Sequence, residues 1–201
     1  MALSTVPSDR HSRRALLLTP FAFAGLAALL YPRVRKLADP AENGSGPEVR
    51  LALFSAAGRC QAVLGIRKVI RPDAEWRKIL TSEQYAITRR AGTEFAFANP
   101  YWDNHKPGLY RCICCGTALF RSQEKFDSGT GWPSFTAPVA TENINTRIDV
   151  SLSLNRTEVL CRKCDAHLGH VFDDGPPPTG SRFCLNSAAL RFLPYALKPS
   201  K

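Results

Sequence analysis

The chain of 201 residues contains no internal repeat and no low-complexity tract beyond Pro176-Pro177-Pro178, which excludes collagen-like and other repeat-built architectures. It holds one long apolar run, so it is not a polytopic membrane protein. With 44% hydrophobic and 22% charged residues it is too apolar for wholesale disorder. It lacks an acidic excess: the formal net charge is +10, with Lys+Arg against Asp+Glu at 6 to 2 in residues 1–40, 1 to 2 in 41–58, 8 to 3 in 59–90 and 12 to 10 in 91–201. The basic excess therefore sits in the leader and one arm. The nearly neutral C-terminal half lacks the clustered basic and aromatic residues of a nucleic-acid-binding surface, and no nucleic-acid partner is expected.

What is present falls into five stretches: residues 1–38, 39–48, 49–70, 71–195 and a tail at 196–201. The apolar run Ala15 to Tyr31 is preceded by Arg10, Arg13 and Arg14, and its length suits either a cleaved signal or an uncleaved anchor. Ser12-Arg13-Arg14-Ala15-Leu16-Leu17 is similar to a twin-arginine export signal, so residues 1–38 read as a targeting or anchor segment of an exported protein, periplasmic or tethered to the outer face of the bacterial inner membrane. Membrane contact is expected only through this segment, if it is uncleaved. Residues 39–48 are a linker rich in Pro and Gly. Val49, Leu51 and Leu53 alternate with Arg50 and Ala52, and Gly58-Arg59 then separates them from a branched run at Ala62 to Ile70, which predicts a β-hairpin over 49–70. Asp73 is expected to cap a helix burying Trp76, Ile79 and Leu80, and Thr81 with Gln84 forms a capping box for a second helix ending near Gly92. Beyond Asn99-Pro100 the pattern becomes short strands; Ile148, Val150, Leu152 and Leu154, alternating with Asp149, Ser151 and Ser153, predict a half-buried one.

Seven cysteines carry the chemistry. Cys112 with Cys115 and Cys161 with Cys164 have Cys-X-X-Cys spacing, and two such knuckles supply the four thiolates of a closed tetrahedral zinc site. A site with no open position is structural. Disulfides and a thioredoxin-like redox pair compete with this reading, but a redox pair should open a helix, whereas Gly116 after Cys115 and Arg162-Lys163 between the second pair read as turns. Cys114 is a fifth thiol that does not bind. Cys184 lies far from either knuckle in Arg182-Phe183-Cys184-Leu185-Asn186, where alternation places Arg182, Cys184 and Asn186 on one face. An Arg neighbour lowers a thiol pKa, which favours the attacking thiolate.

Cys112 to Cys115 with Gly116, Phe126 to Phe135 (containing Ser128-Gly129-Thr130-Gly131-Trp132-Pro133), Cys161 to Cys164, His167-Leu168-Gly169-His170-Val171-Phe172, Gly175-Pro176 and Arg182 to Ser187 together resemble the B-type methionine sulfoxide reductases over about residues 71–192. The resemblance implies a mainly β fold of two antiparallel sheets stapled by one structural zinc, preceded by two short helices, with the hairpin as an addition. It implies reduction of the R epimer of methionine sulfoxide in peptides and proteins, with a thioredoxin-like reductant. Cys184 is then the nucleophile, forming a sulfenic acid; His167 or His170 supplies the proton; Arg182, Asn186, Trp132 and Phe172 shape the pocket. Where many relatives carry a resolving cysteine, this chain has Thr130. Cys60, beside the Gly58-Arg59 turn, is the candidate substitute, and an external thiol acting directly on the sulfenic acid is the alternative. Two rivals remain at this point: a non-catalytic zinc module, which leaves Cys184 unexplained, and a disulfide oxidoreductase using the Cys-X-X-Cys pairs.

Overall fold

The computed structural model describes Met1, residues 44–150 and residues 156–195. The rest of the targeting segment, most of the linker, Leu152, Leu154 and the tail at 196–201 lie outside the described residues. Among the described residues no helix is long and apolar enough to cross a membrane.

The hairpin forms from β1 (Glu48–Phe54) and β2 (Cys60–Arg67), with Leu51 opposite Leu64 and Leu53 opposite Ala62. Its turn passes through Gly58 at φ 73°, a left-handed conformation that glycine adopts without steric cost. Two short helices follow, α1 (Asp73–Ile79) and α2 (Ser82–Arg90). The capping box of α2 is complete: the Thr81 hydroxyl accepts from the Gln84 N–H and the Gln84 side chain accepts from the Thr81 N–H, each at 3.1 Å. Asp73 does not cap α1 as its sequence position suggests. It is the first helical residue, behind Pro72, and its carboxylate instead accepts from the Tyr85 hydroxyl and Arg90, tying α1 to α2. Trp76 and Leu80 are buried, but Ile79 is exposed, because the short helix turns only a narrow stripe inward.

Nine strands build the rest: β3 (Gly108–Cys112), β4 (Ala118–Arg121), β5 (Lys125–Phe126), β6 (Ser134–Phe135), β7 (Ile144–Asp149), β8 (Arg156–Cys161), β9 (His167–Phe172), β10 (Arg182–Leu185) and β11 (Leu190–Pro194). They form a six-stranded sheet in the order β5-β6-β10-β9-β8-β7 and a three-stranded sheet in the order β11-β3-β4, antiparallel throughout. The sheets meet through aromatic rings: Phe135 packs on Phe120 at 4.7 Å and on Tyr110 at 5.0 Å, and Phe183 on Phe120 at 5.6 Å. Tyr110, Phe120 and Phe135 are fully buried, and each such side chain contributes about 2–3 kcal/mol of apolar burial. Among the described residues of the alternating run, Ile148 and Val150 are exposed rather than half-buried, because β7 is the sheet's outer edge.

The hairpin is fastened to this core by polar contacts. Asn143, fully buried, accepts from the Ala52 N–H and donates to the Ala52 and Ala118 carbonyls, each at 2.8 Å. Arg111 donates to the Phe54 and Gly116 carbonyls, and the Val69 N–H donates to the Lys163 carbonyl.

Candidate active site and metal cage

The four knuckle cysteines come together at the junction of the two core sheets. Cys112 ends β3 and Cys161 ends β8, and each continues into a turn closed by a backbone bond, Gly116 N–H to the Cys112 carbonyl and Asp165 N–H to the Cys161 carbonyl, both 2.9 Å. Both turns need a residue at positive φ after the second cysteine: Gly116 at 73° and Asp165 at 53°. The four sulfurs lie within 4.8 Å of one another and are buried; Cys112 to Cys164 is 3.7 Å and Cys115 to Cys161 is 3.5 Å. Sulfurs bound tetrahedrally at about 2.3 Å from one ion stand roughly 3.8 Å apart, so the cage fits a thiolate-bound metal. Cys114 is buried beside the cage without belonging to it.

Cys184 occupies a different place, the middle of the six-stranded sheet. Cross-strand pairing sets one row across five strands: Arg147 on β7, Glu158 on β8, His170 on β9, Cys184 on β10 and Ser134 on β6. Because side chains alternate along each strand, this row belongs to one face, while Val171, Phe183 and Phe135 turn to the core on the other. Gly169 permits the close approach of β9 to β10, since a Cβ there would collide with the Cys184 carbonyl. Above the row opens a cavity of about 150 Å³ lined by Cys184, Trp132, His170, Phe172, Asn186 and Arg156 among others.

The supports of this pocket are specific. Trp132 donates its indole N–H to the Glu94 carbonyl at 3.1 Å. Asn186 accepts from the Glu94 N–H and donates to the Leu168 carbonyl, so its amide ties the loop after α2 to β9, and Asn186 also lines the cavity. His170 bonds through Nε2 to Asp149 at 2.8 Å, and Asp149 also accepts from Arg156 at 2.8 Å. His167 is buried, with Nδ1 on the Glu158 carboxylate at 2.6 Å, and Glu158 also accepts from Arg147. Burial holds the His167 imidazole below its ordinary pKa despite Glu158. Of the two candidate proton donors, His170 lines the pocket and His167 does not, its ring standing edge-on to His170 at 5.4 Å.

The expectation that Arg182 produces a low thiol pKa at Cys184 is corrected. Burial pushes the Cys184 thiol above its ordinary value, and this outweighs the opposing effects of Arg182 and of hydrogen bonds with Thr130 and Ser134. Arg182 is already engaged: its guanidinium makes two 2.8 Å bonds to Asp174 and stacks over Phe172 at 4.5 Å. Thr130, where the resemblance leads one to expect a resolving cysteine, presents a hydroxyl to Cys184. Cys60 is exposed at the start of β2 and does not line the pocket.

Glu94, Asp149 and Arg156 also support the pocket, though no motif singles them out in the sequence. Asp149 had a visible signal, since it lies on the polar phase of the alternating run. Glu94 had none: it is buried in a loop, accepts from the Ser187 and Ala188 N–H groups at 2.6 and 2.9 Å and from Asn99, and so fixes the turn that follows β10. Burial raises its pKa in spite of those donors.

The SelR domain model matches residues 80–194. The peptide methionine sulfoxide reductase MsrB of Herminiimonas arsenicoxydans is 57% identical over 125 residues, covering 62% of this chain and 91% of that protein. The MsrB of Hahella chejuensis is 59% identical over 125 residues, 62% of this chain and 90% of that one. The chloroplastic peptide methionine sulfoxide reductase B1 of Arabidopsis thaliana is 59% identical over 120 residues, 59% of each chain. With a family model matched over more than half its length, and a pocket built around Cys184, Trp132 and His170 within that match, the chain belongs to the SelR-domain family of B-type peptide methionine sulfoxide reductases.

Proposed function

We propose that this enzyme reduces the R epimer of methionine sulfoxide in peptides and proteins, with Cys184 as the nucleophile. The observation that carries the reading is the placement of Cys184: of the seven cysteines, it is the one that lines a cavity whose other walls include an indole face and an imidazole. The indole of Trp132 and the ring of Phe172 provide an apolar bed for the S-methyl group. The Cys184 thiolate attacks the sulfoxide sulfur while His170, oriented by Asp149 at Nε2, delivers a proton to the oxygen. Transfer of that oxygen to the cysteine sulfur releases methionine and leaves Cys184 as a sulfenic acid. Because burial favours the neutral thiol, Cys184 gives up its proton on attack, and His170 relays that one proton to the sulfoxide oxygen, so that thiol plus sulfoxide yields sulfenic acid plus methionine with no net proton consumed. Asn186 and Arg182 hold β10 and its following turn in place around the reacting sulfur.

A thiol reductant of the thioredoxin type then attacks the sulfenic acid, releasing water and leaving a mixed disulfide, and a second thiol frees Cys184. Thr130 cannot perform that step, having no sulfur. Cys60 lies outside the pocket, so direct attack by the external thiol is the simpler route; peptide mapping of non-reduced enzyme after one equivalent of substrate reads this, a Cys60 to Cys184 linkage being the contrary result. Cys112, Cys115, Cys161 and Cys164 would hold zinc, whose tetrahedral preference matches four thiolates, and zinc there would supply a structural staple and no chemistry. The paired Arg13-Arg14 supports export, and a reporter carrying residues 1–48 should leave the cytoplasm only while both arginines are present.

The deciding assay compares R and S peptide methionine sulfoxide with a dithiol reductant. The expected result is turnover of the R epimer alone, abolished in Cys184→Ser with metal content unchanged. Equal turnover by Cys184→Ser overturns the reading.

A further inference from the structure

The catalytic cavity, about 150 Å³, has room for little more than one methionine sulfoxide side chain. In a polypeptide substrate the residues on either side must therefore cross its rim, and the rim differs in character from place to place. On one side, sharing Arg156 and Phe172 with the catalytic cavity, lies a larger cavity of about 590 Å³ lined by Thr157, Asp173, Thr179 and Ser181 among others. That side is polar and charged. Elsewhere on the wall of the catalytic cavity the chain runs from Thr93, which lines it, through Glu94, which holds Trp132, to Phe95 and Phe97. Phe95 is 87% exposed and Phe97 56% exposed, the most open aromatic rings among the described residues.

This segment is held in place beside the indole. The Phe97 N–H donates to the Gly131 carbonyl at 2.9 Å, and the Phe97 ring packs edge-on against Trp102 at 5.2 Å. Phe97 sits at φ 62°, a left-handed conformation that is costly for a bulky side chain, while a Cβ on Gly131 would strike its ring. The loop is thus fixed against the residue preceding Trp132, and two phenyl groups that could have packed inward are left facing solvent. Exposed apolar surface rimming a pocket marks a place where a partner buries its own apolar surface.

We infer that Phe95 and Phe97 form an apolar lip that binds an apolar side chain adjacent to the methionine sulfoxide of a polypeptide substrate. This rests on the proposed reductase activity and names a sequence preference for it. An apolar neighbour gains by burial on the lip and gains nothing on the polar side, so the enzyme discriminates between flanking residues through binding, not through the chemical step.

The test uses the full chain and three substrates in the R form: N-acetyl methionine sulfoxide amide, a pentapeptide with leucine on both sides of the sulfoxide, and the same peptide with serine in those places. Wild type should favour the leucine peptide over the serine peptide by about fivefold to tenfold in kcat/KM, the difference lying in KM. Phe95→Ser, which removes a side chain almost wholly in solvent, should bring that ratio to about one and leave the acetylated amino acid unaffected. Equal kcat/KM for both peptides in wild type overturns the lip, as does a Phe95→Ser variant that loses the same factor on all three substrates or retains the preference. A concentration-dependent dimer that Phe95→Ser abolishes would assign the lip to a second copy and also overturn it. Failure of wild type to reduce any of the three would instead remove the activity itself.

Discussion

The reactivity of Cys184 is set by competing effects that differ in range. Burial disfavours the thiolate, whereas Arg182 and the hydroxyls of Thr130 and Ser134 favour it, and burial prevails. The sign follows directly: a thiol held above its ordinary pKa is mostly protonated at neutral pH, and its thiolate fraction grows as pH rises through the raised value. Alkylation of Cys184 by iodoacetamide should therefore speed up with pH to an inflection above that of a free cysteine. Arg182→Met should move the inflection higher still, because it removes a favourable charge; a profile that moves lower would contradict this balance. The sequence showed Arg182 next to Cys184, but not Asp174, which occupies the guanidinium, nor the burial that outweighs it. His170 and His167 have identical side chains, and only the packing separates them, one lining the pocket and bonded to Asp149, the other bonded to Glu158 and not lining it.

At the scale of elements, local rules were readable wherever the chain's own neighbours decide the outcome. The capping box at Thr81 and Gln84, the hairpin turn at Gly58 and the period-two pattern of β1 all depend on residues a few positions apart. Asp73 and Ile79 departed from expectation because α2 and the solvent, rather than α1 itself, determine what their side chains meet. The attachment of the hairpin was invisible in the same way, since it depends on Asn143, 91 positions from Ala52. Asn143→Ala leaves the Ala52 N–H and C=O and the Ala118 C=O without this partner in a buried setting, which should cost about 3 kcal/mol. A loss of that size in the unfolding free energy from urea titration, with Cys184 turnover per folded molecule retained, is the expected measurement; an unchanged free energy would show that water replaces the amide.

For the whole molecule, the metal cage joins the ends of β3 and β8, one from each core sheet, so its loss should loosen both at once. A structural zinc held there would contribute on the order of 10 kcal/mol, comparable to the entire stability of a domain this size. Chelation, or Cys112→Ser, should accordingly lower the thermal midpoint sharply and abolish cooperative unfolding, whereas Cys114→Ser should leave metal content intact. A chelated chain that melts at the same temperature would remove the cage from the list of structural supports. The spacing of the cysteines and the mainly β character were legible in the sequence, because knuckle spacing and strand periodicity are local, whereas the candidate site residues were reached only through the resemblance to a family. Which imidazole faces the sulfur, how strongly the thiol is buried, what Glu94 fastens and which aromatic rings are left in solvent were decided only by tertiary structure. Those properties depend on residues brought together from distant parts of the chain, and no short-range pattern encodes the distances between them.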